Sequence, residues 1–191
     1  MNLPNKLTIL RIVMAPVFLA LLVIPFPHHY LAALLVFIAA SLTDFIDGKI
    51  ARKYNLITDF GKFMDPLADK MLTTAAFLGF IQLGLGWGIT WITMIVLTRE
   101  FLITSLRLSA ASAGKVIAAN IWGKAKTVSQ MASIILVMLA EYILDFGGMP
   151  EAAAAGIRIG YTVLLWISAL LTVLSGVIYM KDNAKFVDTK K

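Results

Sequence analysis

Long apolar runs, each near the length that crosses a lipid bilayer, constrain this chain more than any other feature. A membrane helix needs roughly 20 mostly apolar residues. Six such segments are expected, over about 7–26, 31–53, 61–84, 89–109, 124–146 and 156–180. The breaks between them carry turn or interface residues: PFPHHY, KYNLITD, GLGWG, SAASAGKVIAANIWGK and DFGGMPEAAAAG. The composition agrees: 60% of the 191 residues are hydrophobic and 15% are charged, against about 45–50% and 25% in soluble domains. The expected class is an all-α integral membrane protein with a single membrane-embedded domain over 1–191. No cysteine is present, which excludes disulfides and thiolate metal sites.

The basic residues set the orientation. With a cytoplasmic amino terminus, 14 of the 17 Lys and Arg residues fall on the inner side, among them Lys6, Arg11, Lys49, Arg52, Lys53, Lys62, Arg107, Lys115, Lys124, Lys126 and Lys181. The positive-inside rule therefore predicts both termini in the cytoplasm. The +6 formal charge reflects topology and carries no implication of nucleic acid. Glu141, Asp145 and Glu151 fall on the outer side. The segment NLPNKLTILR is expected as a short interfacial stretch, with Leu3, Leu7 and Leu10 on one side. A signal peptide is disfavoured, because no A-x-A cleavage site follows and Pro16 interrupts the apolar run.

Against this background, SLTDFIDGKIARKYNLITDFGKFMDPLADK stands out. About a turn near Tyr54–Thr58 centred on Leu56, Asp47 and Asp65 are equidistant, and Asp44 and Asp69 nearly so. In an antiparallel helical hairpin these pairs lie at matched depths, one helical turn apart, and within each helix the two acids share a face. Four carboxylates in a low-dielectric region repel one another, so they either stay protonated or bind hard cations such as magnesium or manganese. Four carboxylates balance two divalent ions, the arrangement used in phosphoryl chemistry. Gly48, Ala51 and Gly61 leave space beside the acids, and Arg52 supplies a guanidinium suited to phosphate. Small-residue helix packing explains the glycines and the alanine singly but not four level acids.

The pattern D-x-x-D-G-x-x-A-R-x8-G-x3-D-x3-D, from Asp44 to Asp69, resembles the signature of the CDP-alcohol phosphatidyltransferase family. NLPNKLTILRI, GKFMDPLADK and TREFLITSLRLSAASAGKVIAANIWGKAKT look like the branch whose acceptor is sn-glycerol 3-phosphate. The resemblance implies transfer of a phosphatidyl group from CDP-diacylglycerol to the 1-hydroxyl of that acceptor, with release of CMP. It implies Mg2+ or Mn2+, two ions per site, held by Asp44, Asp47 and Asp65, with Asp69 as shared ligand or general base. It places Asp44, Gly48, Ala51, Arg52 and Gly61 around the nucleotide. It also implies a homodimer in a bacterial cell membrane, with its active site at the cytoplasmic face.

For the acceptor phosphate, Arg107 near the end of the fourth helix and Lys126 near the start of the fifth are the candidates, with Arg11 closing the pocket from the first. Lipid-headgroup contact is the competing reading of these cations. Arg99 and Glu100 lie mid-helix and need partners; adjacent residues point apart, so direct pairing between them is not expected. Lys70 is a local counter-charge to Asp69. His28 and His29 are read as an outer interfacial loop, and Trp87, Trp91 and Trp122 as interface belts. Two other functions remain open: a relative using the same nucleotide lipid (cardiolipin, phosphatidylinositol or phosphatidylserine synthesis), or a cation-coupled transporter. The transporter is disfavoured because no matching acidic set occupies the outer half.

Overall fold

The computed structural model describes residues 2–53, 59–112 and 121–183; within these spans nothing is described of the side chains at 3, 4, 45, 47–53, 59, 60, 62, 63, 69 and 112. Six helices account for nearly all of it: α1 Leu3–Val23, α2 His29–Lys53, α3 Asp59–Leu83, α4 Ile89–Ser112, α5 Ile121–Phe146 and α6 Glu151–Asp182. The expected turn at 54–58 lies outside the described residues.

Among the described residues, four helices are long and apolar enough to cross a membrane: α1 from Asn5, α4, α5 and α6. The expectation of six equivalent spans is thereby coarsened. The apolar part of α2 is the shorter stretch His29–Asp44, and α3 carries Asp59, Lys62, Asp65, Asp69 and Lys70 in its first twelve residues. Both helices give up apolar length at the end that bears the acids.

One further expectation is revised. The amino-terminal stretch is not a separate helix; α1 runs unbroken from Leu3. The Asn2 side chain caps it by accepting the Asn5 N–H at 3.1 Å, and a proline occupies the first turn, where no intrahelical N–H is needed. Pro16 and Pro66 lie inside α1 and α3, within the spans expected over 7–26 and 61–84. Bundles embedded in lipid tolerate such prolines because neighbouring groups satisfy the freed carbonyls.

The packing order departs from a simple chain of hairpins. Among the described residues, α1 lies along both α2 and α3, which meet each other much less. α5 packs on α6 and α2, while α4 packs on α6 and α3. The middle of the bundle is apolar and close-packed, with Phe18, Phe37, Phe77, Phe80, Ile92, Met138 and Leu165 all fully buried. Phe18 and Phe37 join α1 to α2 with ring centroids 5.5 Å apart. The outward faces are also apolar: Leu35, Phe101, Val128, Ile159 and Leu170 are exposed, as expected of a lipid-facing surface and not of a soluble monomer.

The α3–α4 turn needs glycine for two reasons. Gly84, Gly86 and Gly88 all adopt positive φ, the left-handed region in which a side chain is strained. At Gly88 an added Cβ would also lie 2.8 Å from the Trp166 ring, whereas at Gly84 it would meet nothing within 4 Å. Gly84→Ala is expected to cost about 1 kcal/mol from backbone strain alone. Gly88→Ala should cost a further ~1–3 kcal/mol from overpacking. Unfolding midpoints in detergent check the order of the two variants.

Candidate functional site

Because α1 lies against both acid-bearing helices, its buried face meets the acids. Thr8 and Arg11 are 1% and 2% exposed. The Thr8 hydroxyl donates to Asp65 Oδ1 at 2.8 Å, and Arg11 Nη1 donates to Asp44 Oδ1 in an ion pair. Thr8 and Arg11 are three residues apart, about 4.5 Å of helical rise. Together the two side chains tie α1 to one carboxylate on α3 and one on α2. Asp65 is exposed on its other side and Asp44 is partly so. Gly61, one turn before Asp65, is buried. Asp47, Gly48, Ala51, Arg52 and Asp69 occupy the same two helices, but their side chains lie outside the described residues.

Among the described residues no three ligating side chains converge, but the chemistry of the acids on α2 and α3, oxygen donors only, suits a hard divalent cation. The described groups are the carboxylate oxygens of Asp44 and Asp65, on two helices, each bonded from α1. One of them already requires a positive partner, here the Arg11 guanidinium. All-oxygen ligation of this kind suits magnesium or manganese and not a softer metal.

A cavity of about 510 Å³ opens between α3, α4, α5 and α6. Its charged lining is Lys70, Arg99, Glu100, Arg107, Lys124 and Lys126. Arg107 and Lys126 thus share one cavity, as expected of an anion site built from the end of α4 and the start of α5. Arg11 does not line it, which corrects its assignment to that pocket: its guanidinium is committed to Asp44. Lys70, the residue after Asp69, brings the cavity up to the acid-bearing helix.

Glu100 is the hub of this cavity. Its Oε1 pairs with Lys126 Nζ and accepts from Arg99 Nη1 at 3.2 Å, and its Oε2 lies 3.9 Å from Lys70 Nζ. The contact between adjacent Arg99 and Glu100 corrects the expectation that they point apart. Long side chains overcome the angle between neighbouring Cβ atoms by curling into the same cavity. Lys70 is likewise drawn to Glu100 across the α3–α4 interface. Arg99 Nη2 donates to Ser175 Oγ on α6 at 3.0 Å. A small apolar cluster of Ile103, Leu106, Ala110 and Tyr179 backs the wall.

The far end of the bundle holds a different polar group. Glu141 is buried, accepting from Tyr161 Oη at 2.8 Å and from Arg158 at 3.3 and 3.4 Å. Both of its donors come from α6. His29 is buried, with Nδ1 3.0 Å from the Leu22 carbonyl, and His28 stacks on Phe146 at 4.2 Å. Both histidines are engaged in joining helices.

Comparison with known proteins agrees with this geometry. The profile of the CDP-alcohol phosphatidyltransferase family matches residues 1–175. The chain belongs to that family. It is 38% identical to the CDP-diacylglycerol–glycerol-3-phosphate 3-phosphatidyltransferase of Bacillus subtilis, over 98% of each chain. It is 35% identical to the protein of the same name from Rickettsia bellii, over 97% of each. A protein of Mycobacterium tuberculosis named "Probable phosphatidylglycerophosphate synthase" is 41% identical over 94% of this chain and 80% of its own. Enzymes of the family generally depend on a divalent metal.

Thr8 is the site residue that sequence reasoning missed; a threonine one turn before Arg11 on a buried helix face was the available signal. If Asp44 is held ready for a cation, Arg11→Met should lower the metal-free unfolding midpoint in detergent by the equivalent of ~1–2 kcal/mol. Saturating Mg2+ or Mn2+ should then recover most of the loss. Failure of either metal to recover it would show that Asp44 is only a structural partner of Arg11.

Proposed function

We propose that this chain transfers the phosphatidyl group of CDP-diacylglycerol to the 1-hydroxyl of sn-glycerol 3-phosphate, giving phosphatidylglycerophosphate and CMP. The observation that carries the reading is the adjacency, on α3, of a carboxylate row and a cavity with five cationic side chains. The row suits a pyrophosphate with its metals, and the cavity suits a phosphate-bearing acceptor. The names of the relatives point to the same substrates.

In this reading Asp44, Asp47, Asp65 and Asp69 would hold two divalent ions, Mg2+ or Mn2+. Bound there, the ions supply Lewis acidity and neutralise the pyrophosphate and the departing CMP. Thr8 and Arg11 orient Asp65 and Asp44 from the buried side. Gly48, Ala51, Arg52 and Gly61, with Asp44, receive the cytidine and its phosphates. Arg107 and Lys126 hold the acceptor phosphate so that the 1-hydroxyl reaches the β-phosphorus. Asp69 takes the hydroxyl proton as the new O–P bond forms and the bond to CMP breaks, a role open to a carboxylate within reach of that hydroxyl.

The placement of these groups at one end of the bundle suits a lipid substrate in the bilayer and a soluble anionic one in the cytoplasm. The proposed topology has six spans, both termini inside and the site at the cytoplasmic face, since the basic residues concentrate there. The working unit is a homodimer in a bacterial cell membrane.

CMP release by the purified protein, given CDP-diacylglycerol and Mg2+, should require glycerol 3-phosphate. It should be at background with serine, inositol or phosphatidylglycerol. Release only with one of these other acceptors would move the chain to a different branch of the family, and release with none would remove the transferase reading.

A further inference from the structure

We infer that Glu100 is a built-in counter-anion of the acceptor cavity: it holds the cations in place while the cavity is free of substrate and yields Lys126 to an incoming phosphate. The inference rests on reading this cavity as the glycerol-phosphate site. It adds a positioning residue that also sets which class of acceptor is admitted.

Five cations share this cavity with one carboxylate. Cations gathered between apolar helices repel one another and have lost much of their hydration, so the substrate-free state needs a counter-charge. Glu100 supplies it. Its side chain is only 15% exposed and reaches cations from three helices, Lys70 on α3, Arg99 on α4 and Lys126 on α5. Among the described residues, no other carboxylate lines the cavity.

The cations around Glu100 are not equivalent. Arg99 is also anchored from α6, by Ser175 Oγ at 3.0 Å. Its stem lies against Gly176, where a Cβ would come within 3.1 Å of Arg99 Cγ. Arg99 therefore keeps its place if Glu100 moves. Lys126 faces the same cavity as the exposed Arg107 and Lys124. A phosphate dianion can meet Lys126, Arg107 and Lys124 together, with three acceptor oxygens and more charge than a carboxylate. It can therefore displace Glu100 from Lys126, while Arg99 and Lys70 retain the carboxylate.

Selectivity follows from this exchange. A phosphomonoester compensates for the lost Glu100–Lys126 contact, but a neutral polyol or a zwitterionic amino acid does not. Each of these would leave the ion pair closed and the cavity blocked. Discrimination thus comes from an internal competitor as well as from attraction to the correct acceptor. Glu100 also weakens acceptor binding, and removing its charge should tighten it.

The test uses the full chain in detergent with inorganic phosphate as the probe, following the unfolding midpoint of the parent, Glu100→Gln and Glu100→Asp. Without phosphate, Glu100→Gln should melt below the parent. Rising phosphate should stabilise it at concentrations on the order of tenfold lower than the parent requires. The KM for glycerol 3-phosphate should fall by a similar factor without a rise in kcat. Glu100→Asp, which keeps the charge on a shorter arm, should fall between the two, and it carries the test if Glu100→Gln is not recovered folded. Equal phosphate affinity in parent and variants, or weaker affinity in either variant, overturns the inference while leaving the acceptor site standing. No stabilisation of any of the three by phosphate or by glycerol 3-phosphate removes the acceptor site and the inference together.

Discussion

Charge removed from water has to be matched by charge or by hydrogen bonds, and this constraint organises the bundle. An ionic group between apolar helices that lacked a partner would cost several kcal/mol. Arg11 is paired with Asp44, Thr8 with Asp65, and Glu100 with three cations. At the other end Glu141 takes Tyr161 and Arg158. Between these polar layers the helices are held by Phe18, Phe37, Phe77, Phe80, Ile92, Met138 and Leu165. The aromatic and aliphatic middle gives a rigid frame, and the polar layers lie near the ends, where chemistry with water-soluble molecules is possible.

The position of α1 turns this frame into a site. By lying along both α2 and α3, it puts a hydroxyl and a guanidinium behind two carboxylates and leaves the carboxylates open on their other side. α3 then links the two halves of the chemistry. Asp65 faces α1, and Lys70, five residues on, lines the cation-rich cavity against α4 and α5. Carboxylates on α2 and α3 thus stand next to a cation-rich pocket, which the proposed reading assigns to metal and nucleotide on one side and an anionic acceptor on the other. The opposite signs keep the two substrates in register, since neither anion is stable in the other's place without its own counter-charge.

Much of this was legible in the sequence where the information is local. The helices follow from apolar run length, and GLGWG marked a turn whose glycines do take positive φ. The placement of Arg107 and Lys126 in one cavity followed from their positions at neighbouring helix ends. What was not legible depends on contacts distant in sequence. Arg11 was grouped with the acceptor cations because it is basic and at the correct end, but its partner is 33 residues away on a helix that α1 covers. The partners of Glu141 were not foreseen because both donors lie on the next helix. Arg99 and Glu100 read as divergent because helix geometry fixes Cβ directions, while long side chains follow the cavity.

The central claim is that carboxylates from α2 and α3, backed by α1, cage divalent ions at one end of the bundle. Anomalous diffraction from crystals saturated with Mn2+ tests it directly. The account predicts two manganese peaks between these helices, within ligand distance of Asp44, Asp47, Asp65 and Asp69. Peaks confined to other surfaces, or none under saturating Mn2+, would contradict it.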